Sequence, residues 1–313
     1  MNFVNLIANL VHLGYVEYLP QTLRKPDTQY VDLLRKIMIH GEVVKPIQGG
    51  EAKMIVGAQL HYKMENGFPV DTSRDLSGSM FHGTIAESNA FMNGAETLDE
   101  LISFGMPKVF WERWVTAEKC ADFGLSPGHL GSASYGAIWT KFPTRDGRTF
   151  NQIDALQEGI VKRPHLRTWK ITPWYPPEIF GPFGTRKVVV APCHGDVHFL
   201  ANPEKKELTV HHVQRSGDLP VGAVLNIIQY AAFGMMLAKL MDYKFVELVQ
   251  TFSDVHIYQS QYESVQELLS RPVKPFPIVT LESTATRLQE YRTHDFKLLE
   301  YEAGPKMRIP TPT

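Results

Sequence analysis

The sequence is poor in cysteine, in net charge and in uninterrupted apolar stretches. Two cysteines, Cys120 and Cys193, occur in 313 residues. That excludes a disulfide framework and reads as reduced thiols in a cytoplasmic setting. With 32 basic against 33 acidic residues the net charge is -1, so no global basic field exists to recruit nucleic acid, and a small-molecule partner is expected. The most apolar window, Ala223 to Met241, is interrupted by Asn226, Gln229 and Lys239, which predicts a buried core helix rather than a membrane span. Met1 to Tyr15 carries an apolar run without a basic leader or a small-residue cleavage site, which predicts a short packing helix. No internal repeat and no linker-like shift in composition breaks the chain. One domain of α+β type over 1–313 is therefore expected, with a large mixed or antiparallel sheet covered by helices. No metal site is expected.

What is present is patterned clearly enough to place elements. Asp27 and Thr28 precede apolar residues at helical spacing from Tyr30 to Met38, with Gly41 to end the helix. Met54 to Met64 alternates as a strand closed by Asn66-Gly67. Gln48-Gly49-Gly50 suits a plain turn better than a phosphate cradle. Phe81 to Met92 and Glu96 to Phe104 read as helices. Residues 115–150 read as a long irregular region over a functional or interface surface. Asn151 caps a helix to about Val161, and Arg167 to Pro177 suits a strand and a constrained connection. Lys187 to Leu200 and Glu207 to Arg215 read as paired strands across a polar turn. The window from Ala223 is followed by Glu247 to Tyr258, a helix from Gln261 to Ser270, and strands Ile278 to Glu282 and Asp295 to Tyr301.

Chemistry concentrates between Val188 and Ile227. Ala191-Pro192-Cys193-His194, Gln214-Arg215-Ser216-Gly217-Asp218 and Asn226 put a thiol, an imidazole, a guanidinium, a hydroxyl, a carboxylate and a carboxamide where one hairpin can gather them. A guanidinium beside a thiol favours the thiolate, the reactive form. The competing reading of Cys193 is a buried structural cysteine. Glu87, on a helix of small and apolar neighbours, is either a solvated surface group or a carboxylate with a role. Phe110 to Trp114 supplies aromatic area for a core or for a stacking wall. A hydrolase built on Cys193 and His194 is disfavoured, because neighbours on a strand face opposite ways.

These motifs resemble the thymidylate synthases and the related pyrimidine-nucleotide hydroxymethylases. The likeness rests on Ala191 to His194, Gln214 to Asp218, Gly222, Asn226-Ile227 and Asp254-x-His256-x-Tyr258. It extends through Asn66 to Pro69, Glu87, Phe91, Gly94, Trp111, Trp114, Tyr135-Gly136 and Pro143 to Arg148, covering roughly 28–301. The resemblance implies a homodimer that transfers one carbon from 5,10-methylenetetrahydrofolate to C5 of a pyrimidine deoxynucleotide. On it, Cys193 adds to C6, and Arg215 favours the thiolate and holds phosphate with Ser216. Gln214 belongs to the same nucleotide-binding motif. Asn226 reads the base, and His256 and Tyr258 bind the sugar 3′-hydroxyl. Glu87, Tyr135 and His194 move protons at O4 and C5. Asp218, Trp111 and Gly222 serve the folate, and Arg167 crosses the dimer interface to the partner's phosphate site.

Two departures bear on the product. The family's phosphate-loop arginine falls on Ile47, with Lys45 or Lys53 as candidates to compensate, and its apolar closing tail falls on Arg308-Ile309-Pro310-Thr311-Pro312-Thr313. A site that closes less well admits water to the activated carbon. The sequence alone therefore favours a dUMP hydroxymethylase making 5-hydroxymethyl-dUMP, ahead of thymidylate synthase. A dCMP hydroxymethylase or a nucleotide-binding relative without catalysis ranks lower. Asn at position 226 marks uracil enzymes within the resembling family.

Overall fold

Two long strands whose side chains alternate inward and outward organise the molecule, which a computed structural model describes at residues 11–12, 15–181 and 186–312. In chain order the strands among them are β1 (Val11–His12), β2 (Glu17–Tyr18), β3 (Glu42–Val44), β4 (Ala52–Lys63), β5 (Phe142–Pro143), β6 (Thr149–Phe150), β7 (Lys170–Ile171), β8 (Asp196–Asn202), β9 (Glu207–Asp218), β10 (Lys244–Tyr258), β11 (Ile278–Leu281) and β12 (Phe296–Leu299). The α-helices are α1 (Gln29–His40), α2 (Ser79–Met92), α3 (Leu98–Ser103), α4 (Ala117–Ala121), α5 (Tyr135–Thr140), α6 (Gln152–Lys162), α7 (Pro176–Ile179), α8 (Val224–Met241) and α9 (Tyr262–Ser270).

Six strands form one mixed sheet in the order β3-β4-β10-β9-β8-β7, with β10 and β9 parallel and every other neighbour antiparallel. This is a single-domain α+β fold. The β9–β10 pair needs a crossover, and α8 supplies it, packing on both strands and against α2. Sixteen of the 18 residues of α8 are buried, as expected of a helix that is apolar all round. The longer span Leu219–Met241 is apolar enough to cross a membrane, yet 83 % of its most apolar window is buried within the fold. On the outer face of the sheet β4 presents Gln59, His61 and Lys63, while Leu60 and Tyr62 point to the core.

The inward file of β9 runs Leu208, Val210, His212, Gln214, all buried. It thus changes from apolar to polar as it nears the end of the strand. The parallel register then sets His212 beside Gln250, Ser216 beside Asp254 and Asp218 beside His256. Pairing of β9 and β10 in this register therefore determines which polar groups share one end of the sheet.

Several elements differ from the sequence expectation. Of Met1 to Tyr15, only 11–12 and 15 lie among the described residues. Val11–His12 is a strand paired with Glu17–Tyr18, and the rest of the expected N-terminal helix falls outside the described residues. The strand expected from Lys187 begins only at Asp196. Pro192 has no N–H to pair, and Gly195 sits at φ 104, where a Cβ would also lie 2.9 Å from Pro173. Residues 115–150 are less irregular than their glycines and prolines suggest, holding α4, α5 and the β5–β6 hairpin. Only Lys170–Ile171 of the 167–177 stretch is strand, and its prolines start α7. Helix α6 begins where expected, with Asn151 Oδ1 accepting from the N–H groups of Ile153 and Asp154.

Candidate active site

Cys193 stands on the turn that leads into β8, and the β8–β9 hairpin folds Arg215 back onto it. The N–H groups of Arg215 and Ser216 donate to the Cys193 carbonyl at 2.8 and 3.3 Å, which fixes the approach. Arg215 Nη2 then lies 3.4 Å from Cys193 Sγ. The guanidinium is held there by the carbonyls of Pro192 and Ala191 at 3.1 and 3.2 Å and by the face of Trp174 at 5.3 Å. The Cys193 N–H donates to Tyr135 Oη at 2.7 Å. Burial pushes the thiol up from its ordinary value, and Arg215 and Tyr135 pull against that rise. A cleft lined by Trp174, Pro192, Cys193, His194, Arg215 and Ser253 opens beside the sulfur. His194 points elsewhere: its Nδ1 meets Tyr230 Oη at 2.6 Å and its ring lies against Tyr135. Burial lowers it to about 3, so it is a neutral hydrogen-bonding group. Cys193 and His194 do not form a nucleophile–base pair, although the cause is separate partners on a turn rather than opposite faces of a strand.

A polar line crosses the interface between α2 and α8. Glu87 of α2 accepts from Trp111 Nε1 on one oxygen and from Gln229 Nε2 at 2.5 Å on the other. Gln229 Oε1 accepts from Asn226 Nδ2 at 2.7 Å, and Asn226 Oδ1 accepts from Gln214 Nε2 at 2.9 Å. Desolvation raises Glu87 to about 7 against the pull of Trp111 and Gln229. A carboxyl group poised there can give or take a proton at neutral pH. Tyr135, buried and stacked on Phe91 at 4.8 Å, stays a neutral phenol because burial holds it well above its usual value.

At the far end of the cluster, Asp218 and His256 each leave a buried polar atom, Oδ1 and Nε2, without a partner among the described residues. Asp218 Oδ2 accepts from Gln261 Nε2 at 2.9 Å, and burial raises the group to about 6. His256 Nδ1 meets Asp254 Oδ1 at 3.1 Å, and its ring packs edge-on against Tyr258. Ser216 Oγ donates to Asp254 Oδ2 at 2.6 Å. Gly222 lies on a π-helical turn, and a Cβ there would meet nothing within 4 Å.

Other expected groups are not gathered in. Arg167 is exposed, and among the described residues only its carbonyl is engaged, by His198. Lys53 donates to the Met38 carbonyl and lies over the Tyr262 ring, while Lys45 and Ile47 are exposed. Trp111 is buried and bonded to Glu87, so it serves the core and the cluster at once.

Sequence alone assigns no role to Gln229, His212, Gln250, Asp254, Gln261 or Arg113. The signal for three of them is a polar side chain in an apolar file: Gln229 one helical turn beyond Asn226, His212 and Gln250 on inward strand positions. Gln261 Nε2 also donates to the Pro310 carbonyl at 2.9 Å, and Arg113 Nη1 to that of Thr311 at 3.0 Å. Ile309 is buried, and Pro312 lies close to Gly49. Residues 308–312 thus lie against this end of the cluster; Thr313 is outside the described residues.

A thiol beside a fixed guanidinium, with a near-neutral carboxyl group in a buried polar line, is equipped for covalent group transfer with proton movement alongside. The family model for thymidylate synthase matches residues 28–312, taking in the 308–312 segment as well as the motifs. The chain belongs to that family, a class of folate-dependent enzymes that transfer one carbon to C5 of a pyrimidine nucleotide.

Proposed function

We propose that the chain transfers one carbon from 5,10-methylenetetrahydrofolate to C5 of dUMP, with Cys193 as the covalent nucleophile. The observation that carries this reading is the 3.4 Å approach of Arg215 Nη2 to Cys193 Sγ. A cation fixed by two carbonyls at that distance favours the thiolate, and its exposed side is free to take a nucleotide phosphate with Ser216. The sulfur adds to C6 of the ring, leaving C5 electron-rich. Asn226 pairs with N3–H and O4, and His256 Nε2, with Tyr258, takes the sugar 3′-hydroxyl. Glu87 exchanges the proton at O4, and Tyr135, whose oxygen already accepts from Cys193 N–H, keeps its own proton for donation. His194 orients this network as a neutral group. The unpartnered Asp218 Oδ1 fits an N–H donor of a pterin, and Trp111 and Gly222 are assigned to the same folate. The folate supplies the one-carbon unit and, for a methyl product, the hydride.

The product depends on whether water reaches an exocyclic methylene on C5 before hydride does. Residues 308–312, held by Gln261 and Arg113, support a covered site and hence dTMP as the product, so thymidylate synthesis is the first reading. The second, a dUMP hydroxymethylase, is favoured by Ile47 standing exposed where the family's loop has arginine. A homodimer is part of the proposal: exposed Arg167 reaches the partner's phosphate site, and the polar outer sheet face meets its copy. The enzyme is taken to work in the cytoplasm.

Incubation with dUMP and methylenetetrahydrofolate tests the reading. Cys193→Ala is expected to abolish turnover with the fold intact, and only the wild type should form a covalent adduct with 5-fluoro-dUMP and folate. Turnover by the Ala variant would refute the nucleophile. A rise in dihydrofolate absorbance in step with nucleotide consumption identifies the methyl product, and its absence during turnover identifies hydroxymethyl.

A further inference from the structure

A carboxamide reads uracil only one way round. Its oxygen must accept from N3–H and its NH2 donate to O4, whereas the inverted amide matches cytosine. Something must therefore hold Asn226 in one orientation. Behind it runs a continuous line of buried side chains. Gly195 N–H donates to His212 Nε2 at 3.0 Å, and His212 Nδ1 meets Gln250 Oε1 at 2.7 Å. Gln250 Nε2 donates to Gln214 Oε1 at 3.2 Å, and Gln214 Nε2 to Asn226 Oδ1 at 2.9 Å. Asn226 Nδ2 continues the line to Gln229, which ends on Glu87 and on the Thr84 carbonyl at 3.2 Å.

We propose that His212 and Gln250 are positioning residues for base recognition, holding the Asn226 amide through Gln214 in the orientation that reads uracil. The inference rests on the reading of Asn226 as the base-contacting residue. Its physical content is the direction of the line. A backbone N–H is a donor that cannot be turned over, so His212 Nε2 has to accept and the single proton of the neutral ring has to sit on Nδ1. That proton fixes Gln250 with its oxygen toward His212 and its NH2 toward Gln214. Each amide then dictates the next. Burial keeps His212 neutral, well below the usual histidine range, and its ring stacks on Tyr230 at 3.5 Å.

Inverting Asn226 alone would set donor against donor at Gln214 and acceptor against acceptor at Gln229. Turning all the amides over in series gives no relief, because the line ends on a backbone donor at Gly195 and a backbone acceptor at Thr84. Gln214 has one anchor of its own, Nε2 to the Ser216 carbonyl at 3.1 Å. Loss of His212 therefore weakens the orientation without erasing it. One buried hydrogen bond corresponds to about tenfold in the ratio of dUMP to dCMP affinity.

The test compares equilibrium binding of dUMP and dCMP by calorimetry, which needs no turnover. His212→Leu and, separately, Gln250→Leu should lower the affinity ratio by about tenfold. His212→Gln should restore it, since that amide can accept from Gly195 and donate to Gln250. A ratio unchanged in the Leu variants, an equal loss for both nucleotides, or no rescue by Gln would overturn the proposal and leave Asn226 as the reader. A wild type without preference for dUMP, or an Asn226→Ala variant that keeps that preference, would remove the base-reading assignment and this inference with it. Should the Leu variants not fold, 15N NMR of histidine in the wild type decides, with His212 identified by its absence from the His212→Gln spectrum. Protonation at Nδ1 is expected, and protonation at Nε2 would overturn the proposal.

Discussion

Glu87 and Asp218 are two carboxyl groups at two ends of one cluster, both raised by burial, and they differ in what their oxygens meet. Both oxygens of Glu87 accept hydrogen bonds from this chain, from Trp111 and Gln229. One oxygen of Asp218 accepts from Gln261, and among the described residues the other makes no hydrogen bond of good geometry. A buried acceptor left unpaired costs about 1–3 kcal/mol, so the Asp218 end is built to gain from an incoming donor. The Glu87 end needs none and is arranged for proton exchange. On the proposed function, the contrast separates a group that binds from a group that reacts.

The largest expected effect is on rate at the Glu87 end. Glu87→Gln should lower kcat by about 10²–10⁴-fold and remove the pH limb near 7 from the rate profile. A loss under tenfold would make Glu87 a structural group. At the other end, Asp218→Ala should raise KM for the folate by roughly ten- to a hundredfold, while dUMP affinity stays within about twofold. Equal losses for both ligands would break the division between the two ends. A third measurement, denaturant unfolding from pH 5 to 8, asks whether both groups are raised as described. Glu87 moves from 4.5 to about 7 on folding, so between those values the unfolded chain has released a proton that the folded chain retains. Glu87's own contribution therefore falls as pH rises through that window, by about 3 kcal/mol at 1.36 kcal/mol per unit, against the opposite contribution of the buried neutral histidines His194 and His212. Glu87→Gln should tilt the profile toward stability that rises with pH across that window, and an unaltered profile would refute the raised value. The smallest effect belongs to Arg113→Ala, which frees the Thr311 carbonyl. It should divert about two- to fivefold more product toward hydroxymethyl without changing dUMP affinity, and an identical product ratio would show that residues 308–312 do not exclude water.

Much of this contrast is legible in the sequence, because local rules dominate there. The β8–β9 hairpin that joins Cys193 to Arg215 follows from alternation and a polar turn. The family match and the α+β fold follow from motif order. The onset of β8 was misplaced since apolar residues at 188–190 resemble a strand, whereas Pro192 and Gly195 forbid its pairing. The partners of Glu87 were hidden for another reason. Gln229 is 142 residues away, and no periodicity within α2 or α8 says which helices pack together. His212 and Gln250 lie on strands whose parallel register is set only by the crossover, so their meeting is a tertiary fact. The contacts of the 308–312 segment are not legible in the sequence either, because they are made by the backbone carbonyls of Pro310 and Thr311, which composition does not display.

The parallel seam between β9 and β10 also governs the order in which the protein becomes competent. Cys193 and Arg215 are 22 residues apart and meet through a hairpin, an event of short loop closure. Asn226 gains its link to Glu87 only after α8 has crossed over and docked on α2, contacts of much longer sequence separation and slower formation. A refolding chain should therefore recover an alkylatable, Arg215-assisted thiol before it recovers dUMP binding, and simultaneous recovery would refute that order. On the proposed function, the Cys193 thiol is thus exposed to oxidants during synthesis before nucleotide can shield it, which makes a reducing environment part of its maturation.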